Sequence, residues 1–420
     1  MNPLGLEDNR RFNSGELARF QRKINKTNSI HPWFKTAMQK LQLPEPSPEA
    51  QAASAQLSRL IQQKISANNG WIAFAEFMEN ALYAPQLGYY TGGAAKLGGA
   101  GDFITSPEIS PLFGGALANF AAQLLPQMSN QLMEFGAGTG KLAFDILTEL
   151  HRQSCPPERY YIVELSGELR SRQEQLLKDF KEVVWLQQMP ESFSGLVLGN
   201  EVLDAMPAHL VVKAENGWLE RGVSWQDEQF IWVDQPLKQP EILAQIPAQD
   251  DLPIGYLTEC HPIALAFMRS VAQMLNKGDG GLALWIDYGF PAAEYYLHQR
   301  DQGTLMCHYR HHSHTDPFYW PGLQDITTHV DFSAISYVGE QAGLDLLSYT
   351  SQAGFLLHAG IGELLLRTSP TDPMRYLPQA NALQKLVSPA EMGELFKVLI
   401  LGAKTSLPAQ FNQQDRRHRL

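Results

Sequence analysis

The chain has 420 residues, of which 44% are hydrophobic and 18% charged, enough to bury one large core with insertions or about two domains, so a disordered chain is not expected. The 44 acidic against 33 basic residues leave a formal charge of −11, which disfavours a broad electrostatic grip on nucleic acid or on an anionic membrane. Cys155, Cys260 and Cys307 are odd in number, far apart and without a CxxC pair, which argues against a disulfide framework or a cysteine zinc site and fits a reducing, cytoplasmic setting.

Residues 1–51 read as a polar arm or linker, because the alternating prolines of Leu43-Pro-Glu-Pro-Ser-Pro48 disfavour regular structure. Residues 1–30 mix Glu7, Asp8 and Glu16 with basic residues and lack an apolar run, so neither a signal nor a transit peptide is expected. No stretch approaches the roughly 18 uncharged apolar residues of a membrane span. Helical spacing of Leu57, Leu60, Ile61 and Ile65, then of Phe74, Phe77 and Met78, predicts helices over 52–67 and 71–82. The glycine-rich stretches Gly88-Tyr-Tyr-Thr-Gly-Gly93 and Gly98-Gly-Ala-Gly-Asp-Phe103 predict a loop, followed by a helix start at Ser106-Pro-Glu108 with Ser106 as cap.

Short apolar runs then alternate with helical stretches: Gln131–Phe135, a helix over 140–151, a strand over 160–165, a helix over 167–179 and a strand over 195–199. That alternation predicts an α/β fold, a parallel sheet with helices on both faces. Later strands are expected over 282–286, 344–349 and 396–401, and Asn216-Gly217 between alternating apolar residues predicts an inserted hairpin over 211–233. The core thus runs over 131–404, preceded by helices and a lid loop over 52–130 and interrupted by insertions near 211–280 and 290–330. The tail 405–420, with Arg416-Arg417-His418-Arg419, reads as a solvated end.

Leu132-Met-Glu-Phe-Gly-Ala-Gly-Thr-Gly-Lys-Leu142 places Gly136, Gly138 and Gly140 at a strand-to-helix turn, where bare backbone and helix N–H groups can face a ligand. The spacing is GxGxG rather than the dinucleotide GxGxxG, and the acidic Glu134 stands in the strand two places before the first glycine. Both details favour S-adenosylmethionine over NAD. One helix and one strand later, Tyr160-Tyr-Ile-Val-Glu-Leu165 ends in Glu164, a carboxylate suited to both ribose hydroxyls. Val197-Leu-Gly-Asn-Glu-Val-Leu-Asp-Ala-Met-Pro207 sets Asn200, Glu201 and Asp204 directly after an apolar strand, at the sheet end where ligands bind; plain helix capping is the competing reading. Asp287 ends the run Leu284-Trp-Ile-Asp-Tyr-Gly289, and a further polar loop carries Asp325, Thr327, His329 and Asp331. The stretch Cys307-His-Tyr-Arg-His-His-Ser-His314 lacks the spacing of a zinc module; its histidines read as hydrogen-bonding or substrate-loop residues, and no metal is expected.

On Gly88-Tyr-Tyr, Gly101-Asp-Phe-Ile-Thr-Ser-Pro-Glu108, Glu134–Gly140, Gly199-Asn-Glu201, Asp204-Ala-Met-Pro207, Ile286-Asp-Tyr-Gly289, Gly303-Thr-Leu-Met-Cys-His-Tyr-Arg310 and Asp325-Ile-Thr-Thr-His-Val-Asp-Phe332, the sequence resembles the MidA-like methyltransferases over about residues 54–404. That family includes the mitochondrial complex I assembly-factor arginine methyltransferase. The resemblance implies a Rossmann-like class I methyltransferase sheet with an N-terminal helical extension and insertions shaping a substrate cleft. It also implies S-adenosylmethionine as cofactor and an arginine on a partner protein as acceptor, rather than nucleic acid.

Cofactor contacts are expected at Glu134, Gly136, Ala137, Gly138, Gly140, Glu164, Leu165 and Asn200, with Asp102, Thr105, Ser106 and Pro107 on a closing loop. A guanidinium presents a planar fork of donors that carboxylates grip, so Glu201 is expected to hold it with Asp204, Asp287 or Asp331 as partner. Asn200 and Asp325 would order the cleft and His329 take the released proton. A cofactor-binding assembly chaperone and an NAD-dependent dehydrogenase are the competing classes, and the oligomeric state stays open, a homodimer included.

Overall fold

The computed structural model describes residues 43–92 and 105–420, and the unit set out here spans Pro46–Leu420. Asp102, expected on the closing loop, lies outside the described residues.

The first helix among the described residues, α1 (Pro48–Ala67), begins inside the proline-rich stretch that reads as linker. Ser47 Oγ accepts the Ala50 N–H at 3.3 Å, and Pro48 occupies the first helical position, where its missing N–H costs nothing. The folded body therefore starts before residue 52. α2 (Phe74–Tyr83) buries Phe74, Phe77 and Met78. The helix start expected at Ser106 is a single turn, Ser106–Ile109, and the side-chain cap belongs to Ser110, which accepts the Leu112 N–H at 3.2 Å to open α3 (Pro111–Leu124). Ser106 Oγ instead turns toward Gln352 Oε1 at 3.3 Å.

Next come β1 (Gln131–Phe135), α4 (Lys141–Arg152), β2 (Arg159–Val163), α5 (Gly167–Leu176), β3 (Val183–Leu186) and β4 (Gly195–Asn200). An insertion holds β5 (His209–Ala214), β6 (Gly217–Gln226), β7 (Gln229–Pro236) and β8 (Leu257–Cys260) before α6 (Pro262–Lys277) and β9 (Gly281–Phe290). A second insertion carries β10 (Met306–Tyr309), β11 (His312–His314) and β12 (Asp325–Thr327); α7 (Phe332–Gln341), β13 (Asp345–Ser351) and β14 (Phe396–Ala403) complete the core.

The main sheet runs β13-β14-β9-β4-β1-β2-β3, with β9, β4, β1, β2 and β3 parallel and β14 antiparallel to both its neighbours. The chain winds outward from β1 to β3 and then crosses back to β4, so β1 and β4 flank a topological switch point, the place where open α/β sheets bind ligands. Side chains alternate between two buried faces. Leu132, Leu196, Leu198 and Leu284 pack with Phe113 of α3 and Ile146 of α4, whereas Met133, Val197, Ala283 and Trp285 pack with Met268 of α6 and Phe332 of α7.

The insertion expected as a hairpin is a three-strand meander. Its first turn, Glu215-Asn216, falls close to the Asn-Gly signal. The second, Asp227-Glu228, takes positive φ at both residues (49° and 60°) without glycine or asparagine, so the sequence does not announce it. α1 and α2 lay Leu57, Ile61 and Phe77 against Leu210, Val223 and Ile326 of the two inserted sheets, which places this helical extension over the switch-point end.

The tail is not a solvated end. The Arg416 guanidinium is forked onto Glu394, the Arg416 backbone N–H donates to Tyr349 O at 2.6 Å, and the Leu420 main-chain oxygen accepts the Ser333 hydroxyl at 3.2 Å. No helix among the described residues is long and apolar enough to cross a membrane.

Candidate active site

Beyond the carboxyl ends of β1 and β4 lies a cavity of about 1240 Å³. That exceeds the roughly 300–1,000 Å³ of an ordinary small-molecule site and leaves room for two ligands side by side. Among the described residues its walls carry eight carboxylates and a single lysine, Lys141, itself bonded to Asp145.

At one end the glycine turn follows β1. Gly136 and Gly138 have φ of 65° and 53°, and a Cβ on Gly136 would stand 3.0 Å from Val202 Cγ2, so the turn needs residues without side chains. Gly136, Ala137 and Gly138 line the cavity, whereas Gly140 caps α4 just outside it. Thr139 Oγ1 donates to Glu108 Oε1 at 2.6 Å, tying the turn to the segment carrying Thr105 and Pro107 in the wall; Ser106 is buried behind them. Glu134 also reaches the wall, where Tyr160 donates to its Oε2 at 2.7 Å and burial pushes its carboxyl up to about 7 against that bond.

The Glu164 carboxylate is oriented at both oxygens. Oε1 accepts the Ser166 N–H at 2.8 Å and Oε2 accepts Gln173 Nε2 at 2.9 Å, while burial raises its pKa. Leu165, 79% exposed, stands at the rim, and Gln187, Gln188 and Met189 after β3 complete this end. No motif marks those three: they follow a short strand whose exit has no glycine or acidic signature.

The opposite end is built on the exit of β4. Glu201 takes φ of 54°, a left-handed conformation unusual for glutamate, while its N–H continues the sheet ladder to Ile286 O at 2.9 Å. Asn200 Nδ2 donates to Glu201 Oε1 at 3.0 Å, leaving Asn200 Oδ1 buried and without a partner among the described residues. Burial, then the charge of Asp204, pushes the Glu201 carboxyl up to about 8. Asp204 is raised well above the usual range by burial, then by Asp287 and Asp325. Asp325 is fixed across the cavity, accepting from the Tyr90 hydroxyl at 2.9 Å. Tyr83, stacked on Tyr90 at 5.5 Å, donates to Ala205 O, and Tyr288, Thr327 and His308 fill the remaining wall. Tyr83 and Tyr90 come from the helical extension and its loop, where bare sequence reads only a glycine-flanked turn.

Three expected acceptor residues do not line the cavity. Asp287 Oδ2 accepts the backbone N–H groups of Val202, Leu203 and Asp204 at 3.2, 2.9 and 3.4 Å, so it shapes the turn bearing Glu201 and grips no substrate; burial and Glu201 push its pKa up to about 8. Asp331 caps α7 through the Ala334 N–H at 3.1 Å and accepts the Tyr296 hydroxyl at 3.0 Å. His329 is half-buried, packed edge-on between Tyr288 and Phe290 and outside the cavity wall, and desolvation depresses it to about 4, which removes the basicity a proton acceptor needs. Of the histidine stretch only His308 reaches the wall, and no metal-ligating cluster is present among the described residues.

Strand order, switch point and an acidic two-ended cavity define the class I methyltransferase architecture. The donor set fits S-adenosylmethionine: bare glycine backbone for the amino-acid end, an oriented carboxylate for the ribose, and an acidic wall for a sulfonium cation. Comparison with known proteins agrees. The Methyltransf_28 model, for S-adenosyl-L-methionine-dependent methyltransferases, matches residues 116–350, and the chain belongs to that family. A Burkholderia thailandensis protein crystallised with S-adenosyl-homocysteine superposes with a TM-score of 0.84 at 50% identity, over 90% of this chain and 100% of that one. "Protein arginine methyltransferase NDUFAF7 homolog, mitochondrial" of Drosophila melanogaster is 29% identical over 85% of this chain and 87% of its own length. "Protein arginine methyltransferase NDUFAF7, mitochondrial" of Bos taurus is 29% identical, with 83% and 84% covered. The protein is an S-adenosylmethionine-dependent methyltransferase, and the dehydrogenase alternative is set aside.

Proposed function

We propose that the acceptor is an arginine side chain of a partner protein, held at the Glu201 end of the cavity. The observation that carries this is the charge of the walls: among the described residues eight carboxyl groups oppose one already paired lysine, a setting that repels anionic acceptors and suits a guanidinium. The arginine methyltransferase relatives from fly and cattle support the same acceptor.

When bound, S-adenosylmethionine supplies an electrophilic methyl group, and in-line transfer asks of the protein chiefly that it hold the nucleophile close and oriented. Glu201 and Asp204 grip the guanidinium, Asp325 with Tyr90 closes the far side, and Asp287 holds the turn on which Glu201 stands. A carboxyl raised to about 8 is largely protonated at neutral pH without a partner; an arriving guanidinium stabilises its ionised form, so the proton leaves as the acceptor docks. The test is methyl transfer to arginine-containing peptides and to lysine-substituted copies of them, read by mass spectrometry. Methylated arginine in the first set alone supports the reading, and transfer to the lysine copies sinks it.

The compartment proposed with this function is a reducing one, the cytoplasm. All three cysteines are free and Cys260 and Cys307 are buried. Cell fractionation decides it, since recovery in an oxidising compartment contradicts it; the fly and cattle relatives are named as mitochondrial.

A further inference from the structure

Gln173 on α5 is fully buried, lies outside the cavity wall, and belongs to no motif. Both ends of its carboxamide are nevertheless bonded. One Nε2 hydrogen goes to Gly138 O at 2.9 Å, Nε2 also donates to Glu164 Oε2 at 2.9 Å, and Oε1 accepts the Trp185 indole N–H at 3.0 Å. Those three partners sit on the glycine turn, at the end of β2 and on β3, the three segments that form the cofactor end. The stem of Gln173 also explains the third glycine: a Cβ on Gly140 would meet Gln173 Cγ at 3.2 Å.

We propose that Gln173 is a positioning residue for the cofactor, a single buried amide that sets the glycine turn, the ribose carboxylate and β3 at the spacing S-adenosylmethionine requires, without touching it. A hydrophobic side chain of the same length fills the volume but leaves Gly138 O, Glu164 and the indole N–H each short of a partner. Glu164 then keeps only the Ser166 amide as a guide and samples orientations that miss the ribose. The inference rests on the cofactor assignment and is independent of the arginine acceptor.

Calorimetric titration of the full chain with S-adenosyl-homocysteine tests it, on wild type, Gln173→Met, Glu164→Ala and the double variant. Gln173→Met is expected to weaken binding at least about tenfold, and its effect in the Glu164→Ala background to shrink at least about threefold, because residues sharing a hydrogen bond are non-additive. Affinity within about twofold of wild type, or full additivity, overturns the proposal. Turnover adds a second readout: KM for S-adenosylmethionine rises while kcat at saturation stays within about threefold, as expected when only binding common to ground and transition states is lost. A fall in kcat at unchanged affinity contradicts that. Should Gln173→Met fail to fold, Gln173→Glu keeps the shape and the acceptor for Trp185 while replacing the two-hydrogen donor with an oxygen; the same weakening is expected, and wild-type affinity refutes the strut.

Discussion

The two ends of the cavity are finished to different degrees. At the cofactor end the protein meets its own polar demands: Glu164 has a donor on each oxygen, Gln173 bonds through both its amide nitrogen and its oxygen, and Glu134 is held by Tyr160. At the acceptor end the same chain leaves buried Asn200 Oδ1 without a partner among the described residues, places Glu201 in a left-handed conformation, and crowds carboxyls whose charges raise one another's pKa. The first is a preorganised mould for a ligand of fixed shape. The second is electrostatically incomplete and becomes satisfied when a cation with several donors arrives, which is where stored strain serves selectivity.

Glu201→Gln separates the ends most sharply. It keeps the shape and the Asn200 contact but cannot ionise, so kcat/KM on an arginine peptide is expected to fall about 100- to 1000-fold, the scale of losing a preorganised electrostatic partner. Calorimetric affinity for S-adenosyl-homocysteine should hold within about twofold, since the glycine turn and Glu164 that hold the cofactor keep their own hydrogen bonds. A parallel loss of cofactor affinity breaks the comparison. The converse variant, Glu164→Ala, removes two charge-assisted hydrogen bonds to the ribose and should weaken S-adenosyl-homocysteine roughly 10- to 100-fold. Peptide affinity measured with saturating cofactor should stay near wild type; if it collapses as well, the two ends act as one site.

The same contrast governs what the sequence made readable. The cofactor end is continuous in the chain: strand, glycine turn and ribose acid lie in one βαβα run, so Gly136, Gly138 and Glu164 stand out by spacing alone. Gln173 does not, because a helix-borne glutamine earns attention only once its three partners are in place. The acceptor end gathers residues from the helical extension, the β4 exit and the second insertion. Sequence marks Asn200, Glu201 and Asp204 as polar residues leaving an apolar strand and Asp325 as part of a polar loop, and the structure places all four in the cavity wall. It cannot distinguish those that face the cavity from Asp287 and Asp331, whose identical chemistry is turned onto backbone amides. Tyr83 and Tyr90 are legible only through contact with residues more than a hundred positions away.

Glu134 sharpens the comparison through stability. Its carboxyl moves from an unfolded value near 4.5 up to about 7 because burial outweighs the Tyr160 bond. Below pH 4.5 both states hold the proton and the full stability is present. Between 4.5 and about 7 the unfolded chain releases a proton that the folded chain keeps, so stability falls with rising pH and levels off above 7. Denaturant titrations of wild type should lose about 3 kcal/mol more across that window than Glu134→Gln, whose amide still accepts from Tyr160. Equal slopes for the two proteins would mean that burial at this end does not hold the proton.

The smallest effect is expected at His329, and it bears on where the proton goes. Methylating a guanidinium nitrogen releases a proton, and a half-buried imidazole next to the acceptor end is the obvious acceptor by residue type. Here the ring is wedged between Tyr288 and Phe290, outside the cavity wall, and is depressed to about 4, so at neutral pH it is already deprotonated yet too weakly basic to be effective. Glu201, at about 8 and in the wall, is better matched to the operating pH. His329→Gln should therefore change kcat by no more than about threefold and leave the rising limb of the kcat/KM profile near pH 8 in place, whereas Glu201→Gln abolishes that limb. Loss of the limb in His329→Gln with the fold intact would transfer the proton-accepting role to the histidine and require a route from the cavity to its ring.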